Sequence, residues 1–289
     1  MKERTIKKYG IKKEISVVKT IVWVVLLLIC ISYIALFVWA FLCSLKGKVE
    51  FIRDKISLPS EWKFSNYTRV LKELSANGYG VPTMIFNGLW YSVGSITISM
   101  LCSTMFAYVM ARFWFPGRKF FNVLNIVIMM VPIMGTLPSL MKVVLSLHIY
   151  DSPLYLLTSI GGFGGGLVIY RTAFRAVSWE YAEAAYIDGC GHFKVWWKIM
   201  MPQVLPLVLA QMIGGFIGVW NDYMTPILML PSYQNLASGL YTYQISTQRS
   251  LDYPLLFAGC LLCAIPTFAL FSAGQKWMMS ISLAGGLKG

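Results

Sequence analysis

Side chains able to do covalent chemistry are few in this 289-residue chain, and their spacing suits none of the usual reactions. The two histidines, His148 and His192, have no partner pattern that suggests a triad or a metal site, and satisfied or exposed imidazoles are the simpler reading. Cys260 and Cys263 form a C-x-x-C, but inside an apolar run with no second pair and no nearby His; the six cysteines imply neither a disulfide nor a zinc framework. Gly47-Lys48 is followed by Val49, so no phosphate-binding loop is present. Asp222 is the one acidic residue well inside an apolar segment, which makes it a functional-site candidate by default. A carboxylate bonded to a neighbouring helix, or one reaching an interface, explains it as well, because one carboxylate makes no proton relay. The chain itself is expected to hydrolyse neither ATP nor anything else.

What remains is non-covalent chemistry, concentrated in the polar stretch from Ser178 to Pro206 between two apolar runs. Ser178 is placed to cap a helix, and Glu180 and Glu183 put negative charge in its first turns, where the macrodipole favours it. Ala182, Ala184 and Ala185 are strong helix formers with low relief, and Gly189 can take the left-handed conformation that ends such a helix. Beyond it Phe193, Trp196 and Trp197 stand between Lys194 and Lys198 as bulky anchors of the kind that dominate interfaces. The pattern predicts a short docking helix, a turn and a re-entry into a membrane.

The surrounding elements fit that setting. The chain is 57% hydrophobic and 13% charged, with mean hydropathy +0.64, which assigns it to a bilayer. Its net charge of +13 does not indicate nucleic acid, because the cations sit between apolar runs and not along one stripe. Six spans are expected at about 21–45, 86–111, 120–146, 154–177, 203–230 and 255–275, within a membrane domain of 21–283 that includes the loop 178–202. A basic arm (1–20) precedes it and a short tail (284–289) follows. Residues 21–45 read as a retained span and not a signal peptide, whose apolar core would be shorter. Pro132 and Pro138 are expected to kink the third span. Gly161, Gly162, Gly164, Gly165 and Gly166 either let helices approach closely or unwind the fourth. Sixteen of the 25 lysines and arginines fall in the arm, around Arg112 to Lys119, from Arg171 to Lys198 and at Lys276 and Lys288, against nine on the other side of the expected spans, which places both termini and the docking stretch in the cytoplasm.

The spacing of Glu183-Ala184-Ala185, Gly189, Ile199 and Pro202 resembles the EAA loop of ATP-binding-cassette importer permeases, with Met201 where Leu is usual. Leu58-Pro59-Ser60, Asn66-Tyr67, the run Ala107–Arg112, the turn Phe115–Lys119 and the tail Gly285–Gly289 are similar to the same family, the tail to its carbohydrate branch of the maltose type, second permease. Asn66-Tyr67-Thr68 also matches a glycosylation sequon, which nothing else supports. The resemblance implies an all-α membrane protein with six transmembrane helices and a cytoplasmic coupling helix, the type I ABC importer permease architecture, in the bacterial plasma membrane. It further implies a second, homologous permease subunit, two ATP-binding subunits that hold the ATP and Mg, an extracytoplasmic solute-binding protein and a carbohydrate, an oligosaccharide, moved by alternating access. This chain would bind no cofactor.

On that resemblance Glu183, Ala184, Ala185, Asp188, Gly189, Phe193, Trp196, Ile199 and Pro202 would couple to the ATPases. Asn87, Trp220, Asn221, Asp222 and Tyr223 are candidates for the substrate pathway, and Gln234, Asn235, Tyr241 and Tyr243 for contact with the binding protein. Two alternatives stay open: a permease of the same superfamily for a non-sugar solute, and an ATP-independent secondary transporter or channel subunit, which would normally show coupling carboxylates or a charged filter ring.

Overall fold

In hydrocarbon every backbone N–H and C=O must be bonded within its own segment or by a neighbour, so long apolar runs become helices. The structure is a computed structural model describing residues 11–76, 78–131, 135–246 and 252–286, and it is helical almost throughout. The strands among the described residues are one short antiparallel pair, Ser75–Ala76 with Tyr79–Gly80. The basic arm as far as Gly10, Pro132, Gln248, Arg249 and the tail from Leu287 lie outside the described residues. The chain divides into two units, Met1–Val70 with Arg249–Leu261, and Leu71–Gln248 with Leu262–Gly289.

The first unit is built on α1 (Ile11–Ser44), which begins ahead of the expected span. From Val18 to Trp39 its side chains are exposed on every face, Trp23 at 70% and Tyr33 at 64% among them, the pattern of a helix solvated by lipid. Its C-terminal end is held in a polar knot. Asn66, on α3 (Ser65–Glu73), donates to the carbonyls of Ser44 and Lys46 at 2.7 and 2.9 Å. The fully buried Lys46 ammonium donates to the Asp54 carbonyl (2.9 Å) and the Ser57 hydroxyl (3.3 Å). Phe51, on α2 (Lys48–Arg53), packs on Tyr253 and Phe257, and Trp39 meets Phe257 edge-on.

In the second unit α4 (Val81–Arg112) is the spine, packed by α7 (Gly165–Ala176) and α10 (Met201–Trp220). Two apolar clusters mark its ends. One gathers Tyr91, Val144, Ile149, Tyr155, Met229 and Leu230. The other joins Ala107, Tyr108 and Met110 to Phe174 and Tyr170 of α7, to Val204 and Val208 of α10, and to Ala182 and Ala185 of the docking stretch.

Among the described residues four helices are long and apolar enough to cross a membrane: Val18–Ser44, Val81–Arg112, His192–Trp220 and Tyr253–Gln275. The other two expected spans are interrupted. Residues 120–146 divide into α5 (Arg118–Met130) and α6 (Thr136–Ser146), with Gly135 left-handed (φ +73°) at the break. At 1.5 Å per residue α5 reaches only about 20 Å, short of a ~30 Å hydrocarbon core. Pro138, expected to kink a helix, sits instead in the first turn of α6, where no intrahelical N–H bond is lost. Residues 154–177 are a 3₁₀ segment, Pro153–Ser159, an extended glycine run and then α7.

That run both unwinds and approaches closely. Gly164 has φ +116°, and a Cβ on Gly162 would lie 2.8 Å from the Phe106 ring. The backbone it frees is satisfied by side chains. The buried Asn125 accepts from the Gly164 N–H (2.6 Å) and donates to its carbonyl (3.4 Å), and the Ser103 hydroxyl donates to the Gly161 carbonyl (3.0 Å). The stretch expected as the fifth span ends early, at Trp220, and resumes as α11 (Met224–Met229); the loop beyond carries α12 (Leu236–Ser246), and α13 (Tyr253–Gly286) closes the chain.

Candidate functional site

The docking stretch forms α8 (Glu180–Ile187). Ser178 Oγ accepts from the Glu180 N–H at 3.4 Å at its entry, with Glu180 and Glu183 in the first turn. Its exit is a complete left-handed cap. Gly189 takes φ +74°, its N–H donates to the Tyr186 carbonyl (3.0 Å), and the Cys190 N–H donates to the Ala185 carbonyl (2.9 Å). The helix has two unlike faces. Ala182 (0% exposed) and Ala185 (6%) are sunk in the cluster shared with α4, α7 and α10, and their small side chains let the helix lie flat on it. Glu183, Ala184, Asp188 and Gly189 are exposed, and Ile187 is 87% exposed, with no described neighbour to cover it.

Of the residues expected to couple, Ala185 and Trp196 therefore point inward and hold the helix down, while Phe193 (68% exposed) points outward. Tyr186 and His192 fasten α8 to α9 (His192–Val195), the Tyr186 hydroxyl lying 2.9 Å from His192 Nδ1. From α9 the chain passes through a π turn, Trp196–Met200, straight into α10, so Ile199 belongs to a helix continuous with the long apolar one. Pro202 follows at once. A proline ring presses on the carbonyl four residues back, here that of Lys198, and a widened π turn relieves that clash. Arg112, which ends α4, donates to the carbonyls of Phe174 and Val177 at the end of α7 and stacks its guanidinium over the Trp179 ring at 5.2 Å. It ties two long helices to the entry of α8. Sequence reasoning gave it no such role; its position at a span end, facing the last carbonyls of another helix, was the available signal.

The polar cluster near Trp220 lies toward the other end of α4. Asp222 Oδ1 accepts from the N–H groups of Met224 and Thr225, both at 3.1 Å, and so caps α11, while Oδ2 lies 3.4 Å from the Tyr91 hydroxyl. Of its two readings, the carboxylate bonded to a neighbouring helix matches this geometry. Trp220, 2% exposed, donates to the Cys263 carbonyl (2.9 Å), and Asn87, 7% exposed, to that of Gln234 (3.1 Å). Asn221 and Tyr223 remain exposed, Tyr223 stacked on Tyr241 with ring centroids 4.4 Å apart.

Gln234 and Asn235, expected to meet a partner, do not face outward: they are 2% and 1% exposed. The Gln234 amide donates to the Pro226 carbonyl (2.9 Å), and Asn235 donates to the Asp222 carbonyl (2.8 Å) and accepts from the Ser238 N–H (2.8 Å). Their role is to satisfy carbonyls and N–H groups where helices end. Tyr241 and Tyr243 are half-buried.

This chain is similar to known proteins in sequence and in fold. Arabinooligosaccharides transport system permease protein AraQ of Halalkalibacterium halodurans is 26% identical over 264 residues, covering 90% of this chain and 93% of that protein. Maltodextrin transport system permease protein MalD of Streptococcus pneumoniae is 30% identical over 223 residues, covering 74% and 79%. A chain of a bacterial ABC transporter that imports the acidic polysaccharide alginate superposes with a TM-score of 0.76 at 18% identity, over 91% of this chain and 97% of that one. A chain of a bacterial alginate ABC transporter in complex with an alginate pentasaccharide-bound periplasmic protein gives a TM-score of 0.60 at 13% identity, over 92% of this chain and 96% of that one. The fold is thus that of type I ABC importer permeases. Residues 103–279 match the model of one family, and the chain belongs to it: the binding-protein-dependent transport system inner membrane components, which are transporter subunits and not enzymes.

Proposed function

We propose that this chain lines half of the pathway of an ATP-driven importer for a sugar, an oligosaccharide, in the bacterial plasma membrane. It works with a second permease, two subunits that bind ATP and Mg, and an extracytoplasmic solute-binding protein. Both termini and α8 are cytoplasmic, with α5–α6 and the 3₁₀ segment with α7 crossing as broken pairs to make six spans. The sugar cargo is supported by AraQ and MalD, whose names give arabinooligosaccharides and maltodextrin, and by the alginate importer.

The observation that carries the coupling role is the two-faced α8. One face is sunk among the ends of α4, α7 and α10, and the other offers Glu183, Ala184, Ile187 and Asp188 to a neighbour. A partner that grips the exposed face moves the buried one, and through the π turn moves α10, rocking a midplane cavity between inward and outward access. Asn221 and Tyr223 are the pathway candidates left exposed. Reconstituted with its partners in vesicles, the complex is expected to hydrolyse ATP faster when the sugar-loaded binding protein is added. Ile187→Glu, on the exposed face, is expected to lower that stimulation at least tenfold. Sugar uptake that continues in vesicles lacking the ATP-binding subunits would refute the proposal.

A further inference from the structure

Where α4 ends and α5 begins, a cavity of about 550 Å³ opens beside the end of α7. Arg118, Lys119, Arg171 and Arg175 line it together with Asn122 and Trp114, and no carboxylate does. Among the described residues none of the four cations forms an ion pair, and the Lys119 and Arg175 side chains make no hydrogen bond. Arg171 donates to the Asn122 side-chain oxygen Oδ1, and Arg118 donates to the Ala111 backbone carbonyl at 3.3 Å. Four positive charges around one concavity repel each other, and an anion seated among them removes that cost. Guanidinium forks match phosphate oxygens in particular.

We infer that this cavity binds the phosphate of an anionic phospholipid headgroup, in the leaflet that the proposed orientation makes cytoplasmic. The neighbours of the cations favour lipid over a soluble anion or an acidic protein segment. Trp114 is 84% exposed and Phe120 64% exposed, so the basic cavity opens beside apolar rings that acyl chains cover and a charged peptide does not. Indole rings settle at the headgroup level of a bilayer, and basic pockets between spans on the cytoplasmic side hold acidic headgroups. None of its lining residues belongs to α8, so its occupancy concerns how the α4–α5 turn is anchored in the membrane.

The test is native mass spectrometry of the full chain with its partner subunits in neutral detergent, titrated with phosphatidylglycerol or with phosphatidylcholine. The expected result is at least tenfold tighter retention of phosphatidylglycerol, lost in the double variant Lys119→Gln/Arg175→Gln, whose native side chains make no hydrogen bond or ion pair among the described residues. Arg118→Gln provides an independent variant with the same expected loss. Equal retention of the two lipids, or discrimination that survives both variants, overturns the proposal. So does sn-glycerol 3-phosphate competing as well as the lipid, which makes the site one for soluble phosphate. Release of the ATP-binding subunits from the variants with lipid discrimination unchanged would make the cluster a protein-docking surface and overturn it too. No readout involves sugar or hydrolysis, so failure here leaves the proposed transport function standing.

Discussion

Gly189 shows how much of the site one residue decides. Its φ of +74° is forced by the cap that ends α8, and a Cβ there meets no atom within 4 Å, so the cost of substitution is conformational and not steric. An L-residue in that region costs roughly 1–2 kcal/mol, less for Asn, whose side chain bonds locally. Gly189→Asn is therefore expected to keep most binding-protein-stimulated ATP hydrolysis, while Gly189→Val loses most of it and lowers the thermal midpoint. Equal activity of the two variants would separate the glycine from the helix end. The requirement for glycine was legible in the sequence because Gly189 closely follows a run of strong helix formers and can take the left-handed conformation that ends a helix. The opposite case is Gln234 and Asn235. Residue type alone gives an amide as readily to a solvated loop as to a buried helix end, and only the fold shows that the Pro226 and Asp222 carbonyls need donors there.

Among the elements, the breaks in α5–α6 and ahead of α7 were the least legible, because hydropathy is blind to an interruption when the residues on both sides are apolar. The glycine run announced the second break. Asn125, which makes it tolerable, stands in the sequence with Asn122 as one of two amides in an apolar stretch, and residue type alone does not say which carbonyl it meets. Its two bonds to Gly164 predict that Asn125→Leu, although similar in size, leaves a buried N–H and C=O wanting partners, at about 1–3 kcal/mol for an unsatisfied group. The checking measurement is thermal unfolding in detergent, with a midpoint several degrees lower expected; an unchanged midpoint would mean that the freed backbone finds other donors.

The loop after α1 makes a second prediction. The Ser57 N–H, then that of Ile56, hold the Asp54 carboxyl at about 2 against its ordinary 3.8, and the Ser60 N–H and hydroxyl hold Glu50 below its ordinary 4.5. Both folded values lie below the unfolded ones. The contribution of these carboxylates is thus complete above about pH 5 and is lost as pH falls toward the folded values. Amide-exchange protection across residues 47–60, corrected for intrinsic rates, should stay level from pH 8 to 5 and fall below about 4. Loss near pH 6 would point to a different group.

For the molecule as a whole, charge asymmetry and helix count must give the same topology. The turn Phe115–Lys119 and the α8 region carry basic residues, whereas α12 carries none. The positive-inside bias therefore assigns α8 and α12 to opposite sides. One helix long and apolar enough to cross, His192–Trp220 with its continuation Met224–Met229, separates them in the chain, and under the proposed topology its single crossing requires the same result. This agreement predicts the outcome of labelling single cysteines, placed in a background lacking the six natural ones, with a membrane-impermeant maleimide. Asp188→Cys and Gln244→Cys are both at exposed positions. In intact cells stripped of their outer barrier, Gln244→Cys should label and Asp188→Cys should not; in inside-out vesicles the pattern should reverse. Labelling of both from one side would mean that His192–Met229 turns back without crossing. A surface helix that turns back in this way could not pass the motion of α8 to a pathway through the bilayer, so the coupling role assigned to the exposed face of α8 would fall with it.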